Sequence, residues 1–204
     1  MHDRLFGTRG LKFLRQIICV VLTLILSGCN PEKQWQLHEI TGHLPDLRFS
    51  LMSDTGQPVS DQTYQGYLVM LFFGFTNCQA ECPTTLFRLA KIVQGLGDNA
   101  NRTRILFVTL DPDRDSPQVL HRYVTAFDPG HAVGLIGNEG EIEEFAKRYR
   151  VAYRPKESDS DDITHSAAVY VFDPEGHARL LVTPDDAIET VADDLRLLLD
   201  SVGS

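Results

Sequence analysis

The chain of 204 residues is poor in positive charge: 19 Lys and Arg stand against 28 Asp and Glu, a formal net charge of −9. Sequence-independent binding of nucleic acid needs a basic face against the phosphates, so that class is disfavoured. Cysteine is scarce, at four residues, which excludes a small scaffold held by a dense disulfide framework. The apolar run at residues 17–26, interrupted by Thr23, falls well short of the roughly 20 residues that span a bilayer. Neither an internal repeat nor a low-complexity tract is present. What remains, with 43% hydrophobic and 23% charged residues, is a globular chain of one ordinary domain plus a short appendage.

The appendage is N-terminal. Arg4, Arg9, Lys12 and Arg15 precede the apolar run, the arrangement of a secretory signal peptide. The run closes on Leu26-Ser27-Gly28-Cys29, which resembles the lipobox of bacterial lipoproteins, where the cysteine thiol takes a diacylglycerol before cleavage. An uncleaved anchor helix is the alternative. Under either reading the domain is exported to the periplasmic side and held at a membrane, whether inner or outer. The expected organisation is a signal peptide over 1–28, a polar tether over 29–44 from lipidated Cys29, and a folded domain over 45–204. Processing removes four basic residues and one acid, leaving 15 against 27 and a charge near −12. Cys19 departs with the signal and Cys29 is consumed by lipid, so the chemistry reduces to Cys78 and Cys82. In an oxidising compartment such a pair points to redox chemistry or metal binding.

Asp54-Thr55-Gly56 between short alternating segments predicts a hairpin over 47–60. Residues 68–73 are apolar without alternation, the pattern of a central strand covered on both faces. Pro83 suits a first helical position, and Leu86, Leu89, Ala90, Val93 and Leu96 follow at helical spacing up to Gly97. With a buried strand at 104–110, this makes a right-handed crossover between parallel strands. Helices are expected at 117–127, 139–150 and 185–199, and strands at 132–136, 167–172 and 178–182, the last two joined by Asp173-Pro174-Glu175-Gly176. That order predicts an α/β, thioredoxin-like fold: a central mixed sheet flanked by helices, with an N-terminal β-hairpin addition.

Cys78-Gln79-Ala80-Glu81-Cys82 falls between the carboxyl end of a buried strand and a helix start, the sheet edge where ligands bind in open α/β folds. Helix amides and dipole favour thiolates there. Sulfurs four residues apart share one face of a helical turn, so they can reach one metal ion or join in a disulfide. Among the seven histidines only His165 immediately precedes a buried strand. If that strand runs antiparallel to the one before Cys78, its start shares the cysteines' edge. Two thiolates and an imidazole suit trigonal Cu(I), or Zn(II) or Cu(II) with a fourth ligand. Thr164-His165-Ser166 lacks the proline that general thioredoxin-type exchangers carry at the entry to this strand. Asp111-Pro112-Asp113-Arg114-Asp115 lies on the same edge, but Ser116 and Arg122 occupy the Gly and Glu positions of a calcium loop. An N-cap role for Asp115 or Ser116 before Pro117 fits better.

The runs Phe73-Gly74-Phe75-Thr76-Asn77-Cys78 to Cys82-Pro83 and Thr109-Leu110-Asp111-Pro112-Asp113-Arg114-Asp115-Ser116-Pro117, with His165 before a strand ending at Asp173-Pro174-Glu175-Gly176, together resemble the Sco/SenC family over about residues 42–200. The resemblance implies a membrane-tethered, thioredoxin-fold copper protein that assists assembly of cytochrome c oxidase. It implies that Cys78, Cys82 and His165 bind Cu(I) or Cu(II), that Asp111 and Asp115 flank the site, and that the acceptor is the copper-containing oxidase subunit or a related copper protein. Two positions depart from the family: Gln79 stands where Pro is usual, and Thr164 where Asp often precedes the histidine. A metallochaperone is the leading expectation. A thiol-disulfide reductase for the oxidase cysteines is the alternative, and a copper- or redox-sensing accessory is a third.

Overall fold

Seven successive residues of one strand, Leu68–Gly74 (β4), are buried in the computed structural model, which describes residues 35–151 and 167–201. Leu68, Met70 and Phe72 enter one core and Val69, Leu71 and Phe73 the other. Period-two side chains with both faces covered explain why the strand reads as an unbroken apolar run.

The other strands are His38–Glu39 (β1), Ser50–Ser53 (β2), Pro58–Ser60 (β3), Thr103–Thr109 (β5), Ala132–Ile136 (β6), Val169–Phe172 (β7) and Ala178–Val182 (β8). They form one sheet in the order β1-β8-β7-β4-β5-β6-β2-β3. β4, β5 and β6 are parallel, while β7 is antiparallel to β4 and β8 to β7. The helices are Glu81–Gly95 (α1), Pro117–Thr125 (α2), Glu139–Arg148 (α3) and Ile188–Ser201 (α4). α1, α2 and α4 bury Leu86, Leu89, Ile92, Leu120, Val124, Leu195 and Leu198 on one face of the sheet. α3 buries Ile142, Phe145 and Ala146 on the other. This is the mixed-sheet, thioredoxin-like layout that the element order implied, with the β2–β3 hairpin added beside β6.

Three differences from the sequence reading have physical causes. α1 begins at Glu81, so Pro83 is its third residue instead of its first; a missing N–H is tolerated anywhere in the first turn, where amides have no intrahelical partner. Past Gly95 the chain tightens into a 3₁₀ segment, Gly97–Arg102, entered through Gly97 at φ +61°. Residues 35–44, read as tether from their polar character, are folded. Leu37 and Ile40 are buried, β1 pairs with β8, and Asp194 of α4 accepts the N–H groups of Gln36 and Leu37 at 2.9 and 2.8 Å. Two isolated apolar residues carry no readable period, so only the distant partners reveal this segment. Among the described residues no helix is long and apolar enough to cross a membrane.

Candidate metal centre

β4 delivers the chain to the sheet edge at Gly74, which pairs with Thr109. A Cβ at Gly74 would lie 2.8 Å from Cys82 Sγ and 2.8 Å from the Phe107 ring, so glycine here makes room for the sulfur. The next residues turn back, Cys78 N–H donating to the Phe75 carbonyl at 3.3 Å. α1 then starts with Ala80 at its N-cap, a residue with no side chain that can accept an orphan amide. The Cys78 sulfur takes that part, accepting the Cys82 N–H at 3.4 Å. Spacing alone thus places both sulfurs at one helix end, where amides and dipole favour negative charge.

The two thiols differ in environment. Cys78 is half-buried, whereas Cys82 is fully enclosed. Burial pushes the Cys82 thiol well above its ordinary value; the neighbouring Cys78 sulfur and the Glu81 charge push the same way, against a hydrogen bond with the Phe75 backbone. A cation bound by sulfur supplies what this enclosure lacks, and its binding releases protons.

The Asp111 to Asp115 segment meets this loop. Asp115, 1% exposed, accepts the Thr76 N–H at 3.0 Å and the Thr109 hydroxyl at 2.6 Å through Oδ2, and the Thr76 hydroxyl through Oδ1. Asp115 therefore fastens the residue two before Cys78 to the end of β5. Asp111 pairs with Arg114, and its N–H donates to the Thr109 hydroxyl oxygen at 3.0 Å. The N-cap of α2 is Ser116, whose hydroxyl accepts the Val119 N–H, with Pro117 following.

His165, with Thr164 and Ser166, lies outside the described residues. The condition set for it is nevertheless met by the sheet: Phe72 is opposite Val169, so β7 begins beside the end of β4 that leads to the cysteines. Asp173, Glu175 and His177 also come within 4.8 Å of one another. They sit where β7 ends, at the opposite sheet edge, and Asp173 is already satisfied by Arg179 at 2.9 Å and by the Glu175 and His177 amides. That group is a closed hairpin turn.

Sequence reasoning missed Tyr123. It projects from α2 against Phe107 and Phe127, with ring centroids 5.6 and 5.4 Å away, and packs in the same core as Cys82 and Cys78. Its hydroxyl proton is held far more tightly than usual, first by burial and then by the negative charge of Cys82, Cys78 and Asp115. A single tyrosine in a helical period gives no sign of what its hydroxyl faces.

The family model described as SCO1/SenC matches residues 41–200. An SCO2-like protein of Rickettsia prowazekii is 36% identical over 132 residues, covering 63% of this chain and 64% of that protein. The mitochondrial SCO1 homolog of Homo sapiens is 33% identical over 150 residues, covering 71% of this chain and 49% of that protein. The chain spans about half to two thirds of the length of these curated relatives. The crystal structure of Arabidopsis thaliana ScoI with copper bound matches with a TM-score of 0.70 at 31% identity, covering 76% of this chain and 98% of that one. The sheet-edge cysteine pair, the fold around it and a family match running through both lead to one conclusion: the chain belongs to the SCO1/SenC family.

Proposed function

We propose that this protein is a membrane-tethered copper metallochaperone of the periplasmic side, which carries copper as cargo to the copper-containing subunit of cytochrome c oxidase or a related acceptor. The carrying observation is the sulfur pair: Cys78 Sγ accepts the Cys82 N–H at the start of α1, so both sulfurs stand together at one ligand edge. His165 is the third ligand in this reading, entering from the segment before β7. Two soft thiolates and one imidazole suit Cu(I), and a fourth ligand extends the set to Cu(II). The copper-bound Arabidopsis relative supports the assignment of copper. Asp111 and Asp115 act through the loops they tie down. Residues 1–28 serve as lipoprotein signal, and Cys29 carries the lipid.

Anaerobic copper titration against a competing chelator tests this. Wild type binds more tightly than His165→Ala and Cys78→Ser; equal affinity in all three sinks the proposal. Mass spectrometry of the membrane form checks the anchor, and an intact N-terminus with unmodified Cys29 refutes it.

A second reading rests on the unequal exposure of the two sulfurs. A half-buried Cys78 beside an enclosed Cys82 suits attack by one thiolate on a partner's disulfide and resolution by the other. Such a reductase needs Cys78 and Cys82 but not His165, so reduction of a disulfide-bonded oxidase fragment by His165→Ala separates the two.

A further inference from the structure

The helix that opens at the cysteines carries an exposed stripe away from them. Glu81, Thr84, Phe87, Lys91 and Gln94 of α1 are all exposed at spacings of three and four, so they share one face, and the stripe starts beside Cys82. Among the described residues, Met52, Phe87 and Leu197 are the large apolar side chains left exposed. Phe87 is the most exposed of them, at 55%, and is the one on the cysteine helix. It borders a cavity of about 440 Å³ between α1 and the loop joining α2 to β6, with Ala90 and Val93 on one wall and Phe127 and Pro129 on the other. An exposed aromatic at the mouth of an apolar-walled groove is the composition of an interface anchor.

The charge of the groove selects what it accepts. Asp128 is spent within its own loop: its carboxylate accepts the Gly130 and His131 N–H groups at 3.1 Å each and meets His131 Nδ1 at 2.9 Å. Lys91 reaches the Gln94 side-chain oxygen at 3.3 Å and stands 5.6 Å from the Phe87 ring centroid, and it meets no carboxylate among the described residues. In a chain with 28 acids against 19 bases, the open charge of this groove is positive. Its complement is an apolar side chain with a carboxylate next to it.

Reach ties the groove to the sulfurs. A specific contact buries about 800 Å² on each partner, a disc of about 16 Å radius. Phe87 stands about 7.5 Å along the helix axis from Cys82, and Lys91 about 6 Å further. A partner centred on Phe87 therefore covers both the groove and the cysteine end of α1, where a protein that receives copper has to sit.

We propose that the exposed face of α1 from Glu81 to Gln94, with the groove beside Phe87, is the docking surface for the copper acceptor, which places an apolar side chain against Phe87 and a carboxylate on Lys91. This rests on the copper reading above and adds the surface by which the acceptor is held.

The test uses the full chain in detergent, loaded anaerobically with Cu(I), and measures its dissociation constant for the copper-free soluble copper domain of the oxidase subunit. Phe87→Ser weakens binding at least about tenfold, as loss of an anchor does. Lys91→Glu weakens it about tenfold, and Lys91→Arg keeps it near wild type. Met52→Ser, an exposed apolar residue on β2, leaves it unchanged. Copper affinity against the competing chelator is the same in all of them. Wild-type binding in Phe87→Ser or Lys91→Glu overturns this inference and leaves the copper reading standing, as does an equal loss in Met52→Ser. A dimer of the chain, or binding to anionic-lipid vesicles, that Phe87→Ser abolishes gives the groove another occupant and overturns it too. A wild-type protein that binds copper but not the domain overturns the docking surface together with that acceptor, and one that binds no copper overturns the copper reading as well.

Discussion

Asp115→Ala is expected to loosen the cysteine loop from the sheet at a large cost in stability. The carboxylate accepts from the Thr76 N–H, the Thr76 hydroxyl and the Thr109 hydroxyl, and it is 1% exposed, so water does not replace it readily. A hydrogen bond to a charged group contributes about 1.5–3 kcal/mol, and neighbouring bonds are not additive. Losing the set together is expected to cost about 3–5 kcal/mol, the range of a broken buried network. Asp115→Asn is milder, at about 1–2 kcal/mol, because its carbonyl oxygen still serves the Thr76 N–H and the Thr76 hydroxyl can turn to accept. Urea unfolding reads these differences, and with roughly 2–4 °C per kcal/mol for a chain of this size the alanine variant melts on the order of 10 °C lower. Hydrogen exchange adds a local readout: the Thr76 amide loses protection in Asp115→Ala, while amides in the middle of β4 keep theirs at mild denaturant. Coupling between Thr76→Val and Asp115→Asn should exceed about 0.5 kcal/mol. Asp115→Ala within about 1 kcal/mol of wild type, with the Thr76 amide still protected, would refute this account of the loop.

Gly74→Ala places a methyl 2.8 Å from Cys82 Sγ and from the Phe107 ring, an overpacking cost of about 1–3 kcal/mol, and the displaced sulfur weakens copper binding in the same chelator competition. Gly95→Ala is its control: the added methyl meets only Ala192 Cβ at 4.0 Å, so stability stays within about 1 kcal/mol of wild type, and matching behaviour of the two variants would contradict the steric argument. Asp194→Ala removes the acceptor for the Gln36 and Leu37 amides, at about 2–4 kcal/mol for buried bonds to a carboxylate; limited proteolysis should then cut within residues 35–44 first. Cleavage unchanged from wild type would show that β1 and its neighbours are held by something else.

Much of this protein is legible along the chain because its causes are local. Residues 132–136 fall where the apolar stretch predicts a strand, and Ser116-Pro117 opens α2 because a hydroxyl N-cap and a proline satisfy the first turn by themselves. The cysteine edge follows from strand-then-helix order. Boundaries are less readable where two causes compete. α4 begins at Ile188, not at 185, because Asp186 instead accepts the Thr183 N–H and hydroxyl and holds a turn before the helix.

The sequence by itself determined the elements from β2 onward, the four-residue spacing of Cys78 and Cys82, and the two-sided burial of β4, since periodicity and covalent spacing act within a single segment. Only the tertiary structure decided that β7 lies antiparallel beside β4 and that Asp115 grips Thr76 across 39 residues. It likewise decided that Asp194 holds Gln36 across 158 residues and that the Tyr123 hydroxyl is closed off from solvent where its side chain packs against the core that contains Cys82. Those relations depend on which elements become neighbours when both faces of the sheet are covered at once, and a packing minimum of the whole chain leaves no periodic trace in any one part of it.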